Sequence, residues 1–229
     1  DNGTIVYNAG NAMATGYNTL TIPRGGQFRV TLPDGTKVWL NNVSSLRYPV
    51  AFTGKTREVQ VTGEAFFDVV KDAGKPFIVN VNDIDVHVLG TQFCVSAYTK
   101  EKVRTALLEG AVKVTGPGPR ALRREQAQLL KPGQVLESSA AHDWKFLPEA
   151  DASDAIGWTQ GNFVFRNAPL SEILKNIARW YDIDTDLRGM TGDPVYELSF
   201  SRSLPLSDVL SILAKGAKFR MEGRKLIVK

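Results

Sequence analysis

The sequence predicts a mainly β chain with a small α+β domain: a β-rich roll or solenoid of short strands, then a tandem β-α-β domain. Three observations carry this reading. Up to about residue 115, apolar and polar residues alternate in short runs. Turn residues punctuate the runs at Gly25-Gly26, Pro33-Asp34-Gly35, Gly54, Gly63, Gly74, Asn82-Asp83, Gly90 and Gly110. Near the C-terminus, Pro169-Leu170-Ser171-Glu172-Ile173-Leu174 recurs 36 residues later as Pro205-Leu206-Ser207-Asp208-Val209-Leu210.

The strands follow in order. Phe28, Val30 and Leu32 alternate with Gln27, Arg29 and Thr31, and Pro33-Asp34-Gly35 supplies the turn. Runs at 38–40, 59–61, 66–70, 77–81, 84–88, 93–97, 107–108 and 112–114 continue the pattern. Such even punctuation fits a roll, a sandwich or a solenoid. The lack of long connections favours a solenoid-like or rolled antiparallel arrangement. Gly116-Pro117-Gly118-Pro119 reads as an exposed loop, and 120–137 as one more hairpin turning at Pro132-Gly133. Residues 138–156 are small and polar, which marks a domain boundary.

In the repeat, Leu170, Ile173, Leu174 and Ile177, then Leu206, Val209, Leu210 and Leu213, stand at i, i+3, i+4 and i+7. That spacing is the core stripe of an amphipathic helix. Each Pro sits at the first turn, with an acidic residue behind it to suit the helix dipole. Strands are predicted before the helices at 163–165 and 198–200, and after them at 183–185 and 219–221. A last strand, 226–228, follows a Glu222-Gly223 turn. The organisation is a linker or extended segment over 1–20, an all-β domain over 18–148, a linker over 149–160 and a β-α-β/β-α-β domain over 161–229.

Composition narrows the function. The chain has 229 residues, 43% hydrophobic and 23% charged, which excludes disorder, collagen-like repeats and long coiled coils. A net charge of +4 is too mild for a nucleic-acid footprint. Cys94 is the single cysteine, so no intramolecular disulfide and no site with two cysteine ligands is possible. No run approaches a membrane span. The chain starts without Met and reads as a piece of something longer.

Motifs for catalysis are scarce: G-x-S-x-G, H-E-x-x-H and C-x-x-C are all missing. Gly54-Lys55-Thr56 lacks the upstream glycine of a phosphate loop, since Pro49 stands there, and reads as a β-turn. His87 belongs to an alternating strand and His142 to the linker region, so neither suggests a ligand or base. Glu64 and Asp68 share a strand face, where solvated charges are commoner than an acid–base pair. Arg120, Arg123, Arg124 and Lys131 lack interleaved aromatics and read as a solvated face. Cys94 reads as a buried thiol. No catalytic residue, cofactor or metal is expected.

The order of motifs adds a resemblance. Thr21-Ile22-Pro23-Arg24-Gly25-Gly26-Gln27 leads to Leu32-Pro33-Asp34-Gly35-Thr36-Lys37-Val38-Trp39-Leu40-Asn41. Ser45-Leu46-Arg47-Tyr48-Pro49, Arg57-Glu58-Val59 and Gly63-Glu64-Ala65-Phe66-Phe67-Asp68-Val69 follow. Then come Lys75-Pro76-Phe77-Ile78-Val79, Val88-Leu89-Gly90-Thr91-Gln92-Phe93, Leu107-Leu108-Glu109-Gly110-Ala111-Val112 and Lys131-Pro132-Gly133-Gln134. Trp158-Thr159-Gln160-Gly161-Asn162-Phe163 and Arg179-Trp180-Tyr181-Asp182 extend the series. From about residue 18 the chain resembles the periplasmic region of FecR-type transmembrane anti-sigma factors of the Bacteroidetes form. Cys94 is one departure, at a position where that family usually has Asn.

The resemblance implies a FecR domain followed by a domain similar to the short N-terminal domain of secretins and TonB-dependent transducers. It implies a periplasmic location and a role as receiver. The implied partners are the signalling domain of a TonB-dependent outer-membrane transducer, and a sigma factor held by a cytoplasmic domain beyond a membrane-spanning helix. Edge-strand positions near Phe163, Phe165, Phe200 and Arg202 are the expected partner contacts. Two alternatives stand beside this reading. A glycan- or envelope-ligand-binding module would need an exposed platform built from Trp39, Trp158, Trp180 or Tyr181. A glycoside hydrolase would need Glu64 and Asp68 in a cleft.

Overall fold

The structure, a computed structural model, describes residues 4–6, 16–116, 127–138, 143–148, 150–214 and 217–228. They divide into two units, Asp1–Pro23 with Gln27–Ile156, and Arg24–Gly26 with Gly157–Lys229. His142, Arg120, Arg123 and Arg124 lie outside the described residues.

The first unit holds strands β1 (Thr4–Val6), β2 (Tyr17–Ile22), β3 (Phe28–Thr31), β4 (Lys37–Leu40), β5 (Ser44–Pro49), β6 (Arg57–Asp68) and β7 (Phe77–Val81). It continues with β8 (Ile84–Val88), β9 (Gln92–Ala97), β10 (Val103–Glu109), β11 (Val112–Thr115), β12 (Gln128–Leu130), β13 (Val135–Ser138) and β14 (Lys145–Phe146). All join one 14-stranded sheet, curled into a half-barrel, so the mainly β expectation holds. From β6 the sheet runs through β7, β8 and β11 to β12, and in the other direction through β9, β10 and β13 to β14. Val59, Val61, Phe67, Phe77, Val79, Phe93, Val95 and Leu107, each at most 3% exposed, fill the concave core. Alternation in the sequence predicts this, because successive strand residues face opposite ways.

Two turn assignments are corrected. The sequence reading ends a strand at Val61 and starts another at Phe66, with Gly63 as the turn. The structure runs β6 straight through. Gly63 holds φ +82°, and a Cβ there would meet the Ser44 Oγ at 2.4 Å and the Val43 carbonyl at 2.6 Å. One left-handed residue bends a strand without reversing it. The half of β6 before Gly63 pairs with β5 and β7, and the half after it with β4 and β9. Likewise Pro132-Gly133 does not close a hairpin. β12 pairs with β11 and β13 with β10, so the turn carries the chain from one part of the sheet to another. Asn82-Asp83 is a hairpin turn as expected, with φ +43° and +65° at its two residues.

The Pro33-Asp34-Gly35 turn has a second task. The Asp34 carboxylate pairs with the buried Arg57 guanidinium at 2.8 Å, and Arg57 also donates to the Lys75 and Val70 carbonyls at 2.9 Å. Asp34 further accepts from the Thr36 hydroxyl at 2.8 Å. One buried cation thereby ties the turn to the start of β6. Removing either partner would leave a charge without its counter-ion, at a cost of about 3–5 kcal/mol.

A 3-10 segment (Asp154–Gln160) begins in the first unit and ends in the second, which holds β15 (Asn162–Pro169), α1 (Leu170–Tyr181), β16 (Asp184–Asp186) and β17 (Val195–Ser201). The second unit ends with α2 (Leu206–Leu213), β18 (Phe219–Glu222) and β19 (Lys225–Val228). β15 pairs antiparallel with β17, while β16, β19 and β18 form a separate three-stranded sheet. This is the predicted tandem of β-α-β units. Pro169 and Pro205 are the N-caps, one position earlier than a first-turn proline. With no side-chain cap from Pro169, the Asp193 carboxylate serves α1 instead, accepting from the Ser171 N–H at 2.9 Å and its hydroxyl at 2.6 Å.

Candidate functional site

The expected contact residues lie inside the second unit. Phe163 and Phe165 are 2% and 7% exposed, and Phe200 packs against the same core from half-buried β17. Ring centroids of Phe163 and Phe200 stand 5.3 Å apart, and those of Phe163 and Phe165 5.7 Å. Arg202 is 7% exposed, with its guanidinium carbon 4.6 Å from the Phe163 ring centroid and 4.9 Å from that of Trp180. The Trp180 indole N–H donates to the Arg202 carbonyl at 3.0 Å, and the Tyr181 hydroxyl to the Leu204 carbonyl at 2.6 Å. Burial pushes the Tyr181 hydroxyl pKa up; nearby Asp208 adds to this and Arg202 opposes it. These aromatics lock the end of α1 to the chain after β17. They hold the strands in place, and their rings are spent on packing.

What the strands offer outward is main chain. Arg202 N–H donates to the Gly161 carbonyl at 2.8 Å, and the register continues as Phe163 with Phe200 and Phe165 with Leu198. Bonded residues alternate along an antiparallel ladder. So Arg202, Phe200 and Leu198 turn their main chain towards β15, and Ser201, Ser199 and Glu197 turn theirs away. Sequence reasoning did not single out Val195, Glu197 or Ser199. The signal for them was the alternation of Val195, Glu197, Ser199 and Ser201 with Tyr196, Leu198 and Phe200.

The residues proposed for other chemistry are dispersed. Glu64 accepts from the Asn41 amide at 2.5 Å, and Asp68 from the Gln92 amide at 3.2 Å, both along β6. Trp39 packs on Phe66 at 5.1 Å under the Arg29 guanidinium, while Trp158 is 5% exposed. His87 shares a hydrogen bond of 3.1 Å with the Thr115 hydroxyl. Cys94 is buried. A polar cleft of about 600 Å³ on the first unit is lined by Glu58, Gln60, Asn80, Asn82, Asp83 and Asp85 among others, and none of the four aromatic candidates borders it. Asn80 donates to Asp85 there at 2.6 Å. Among the described residues, no group of three or more His, Cys, Asp or Glu side chains is placed to hold a metal ion.

Comparison with known proteins now decides the family. The FecR protein family matches residues 18–113, and the FecR C-terminal family residues 162–228. Two crystal structures of a candidate anti-sigma factor from Parabacteroides distasonis, at 1.65 and 2.50 Å resolution, superpose with TM-scores of 0.81 and 0.80. Each is 30% identical, over 93% of this chain and 98% of theirs. The chain belongs to the FecR family. The FecR match falls within the half-barrel unit apart from Arg24–Gly26, and the FecR C-terminal match spans the strands and helices of the second. No match was found among curated proteins. The family and its structural neighbours support a regulatory role in anti-sigma signalling. No helix of the described residues is long and apolar enough to cross a membrane.

Proposed function

We propose that this FecR-family chain is the periplasmic receiver of a membrane-anchored anti-sigma regulator. It binds the signalling domain of a TonB-dependent outer-membrane transducer. A membrane-spanning helix then carries the signal to a cytoplasmic domain that holds a sigma factor. Binding works by recognition between folded domains, with the transducer favouring one state of the regulator over another. The observation that carries this reading is the pairing of both FecR families on one chain whose second unit has short, two- and three-stranded sheets. Such sheets have edges that accept a strand from a partner. The contact is therefore assigned to β15 and β17, which carry Phe163, Phe165 and Phe200 with Arg202 just beyond, through their backbones.

The test is isothermal calorimetry of the whole chain with the isolated signalling domain of the transducer encoded beside it. Saturable binding with a Kd of about 1 μM or tighter, roughly −8 kcal/mol, is expected. Heats no larger than dilution at 100 μM of each partner would contradict the proposal.

A further inference from the structure

The second unit offers several strand edges, and they are not equivalent. β16 has three residues, two of them Asp184 and Asp186. β18 has four, including Arg220 and Glu222, which pair with each other at 3.0 Å. Short, charged edges resist further pairing. β15 is longer, but its register slips between Phe165 and Ala168, where Asn167 takes φ +48°, and it ends in Pro169. A bulge and a proline blunt an edge. The 3-10 segment also crowds β15, since a Cβ at Gly157 would lie 2.5 Å from the Val164 Cγ2.

β17 has none of these defences. It runs seven residues from Val195 to Ser201 with no glycine, no proline and one charge, Glu197. No described main-chain bond reaches the outward N–H and C=O groups of Glu197 or Ser199. Val195 is 56% exposed, and the Glu197 side chain 75%. On the other face Tyr196, Leu198 and Phe200 are half-buried against the unit's core, leaving part of each ring or chain uncovered.

We propose that the free edge of β17 is the docking edge, and that its occupant is an extended strand of the transducer's signalling domain. That strand carries apolar residues at alternate positions, to cover the open flanks of Tyr196, Leu198 and Phe200, and small or polar ones between them. It needs free N–H groups where it faces Glu197 and Ser199, so proline is excluded there. A run of about five residues fills the edge. Affinity comes from the ladder, and selectivity from the alternate side chains. This inference rests on the receiver reading above.

Residue-resolved amide hydrogen exchange of the full chain tests it, alone and saturated with the isolated signalling domain. In the free chain, Glu197 and Ser199 should exchange at least about tenfold faster than Leu198 and Phe200, whose amides face β15. The partner should slow Glu197 and Ser199 at least about tenfold. Early protection of these two amides in the free chain would overturn the open edge. Binding by calorimetry with new protection at β15, β16, β18 or the half-barrel instead would overturn the docking edge and leave the receiver reading standing. Failure of the two proteins to bind at all would remove the receiver reading and this inference with it.

Discussion

The two copies of the Pro-Leu-Ser repeat share a pattern and differ in fate. In the first, Leu170, Ile173, Leu174 and Ile177 are all fully buried. In the second, Val209 and Leu213 are fully buried, while Leu206 and Leu210 stay half-exposed and Ile212 is 37% exposed. The first copy enters through a bulged strand that the 3-10 segment crowds, and its helix is capped from outside by Asp193. The second enters through an unbroken strand with an open edge. Duplicating a sequence motif duplicated the fold without duplicating the environment. The first copy is the anchor of the unit, and the second is its more exposed half.

Core truncation sharpens this contrast most. Leu174→Ala should destabilise the second unit by about 2–5 kcal/mol, the usual cost of a buried leucine cavity. Leu210→Ala, at the matching position of α2, should cost less than half as much. Urea unfolding of both variants, followed by tryptophan fluorescence, measures the pair. Equal costs would dissolve the distinction between anchor and exposed copy.

A smaller effect is expected at two arginines of the β15–β17 pair, Arg166 within β15 and Arg202 just past β17. Arg202→Met gives up a buried cation over the Phe163 and Trp180 rings and should cost about 1–2 kcal/mol. Arg166→Met removes an exposed pair with Glu197, 3.3 Å apart, and should shift stability by less than about 0.5 kcal/mol. The same denaturation assay reads both.

The smallest effect concerns acid. Hydrogen bonds from Arg188, reinforced by Lys225 at 2.9 Å, hold the Asp186 carboxyl well below the usual carboxylate range. A carboxyl whose pKa falls on folding stabilises the fold above its unfolded value and loses that contribution as pH drops through the folded one. Asp186 lies on β16, which follows α1, and Lys225 on β19, which follows α2, so the clip joins the two copies. Below about pH 4, Asp186→Asn should flatten the fall of melting temperature with pH relative to wild type. Above pH 5 its melting temperature should sit slightly lower. An unchanged acid limb would show that the clip contributes nothing across this joint.

Much of this was legible from local signals. The helical stripes were read correctly because a 3.6-residue period survives in any environment. The strands at 77–81 and 84–88 were marked by Asn82-Asp83, whose residues tolerate positive φ. Gly63 and Pro132-Gly133 misled because glycine signals a special backbone angle without saying whether the chain bends or reverses. The outcome there is set by Ser44 and by β10, both distant in sequence. Phe163, Phe165, Phe200 and Arg202, expected as contacts, are instead packing of the β15–β17 pair. Which edge of that strand pair stays open depends on the slip between Phe165 and Ala168 and on Gly157 against Val164, which no local pattern records.

The most direct test of the central claim is Ser199→Pro. The Ser199 N–H faces away from β15 and serves no described bond, so proline removes a donor only an added strand would use. Calorimetry with the transducer's signalling domain should show at least about a tenfold loss of affinity, roughly 1.4 kcal/mol, while the melting temperature stays within a few degrees of wild type. Full affinity in a folded Ser199→Pro chain would contradict the account and move the docking surface off the second copy's edge.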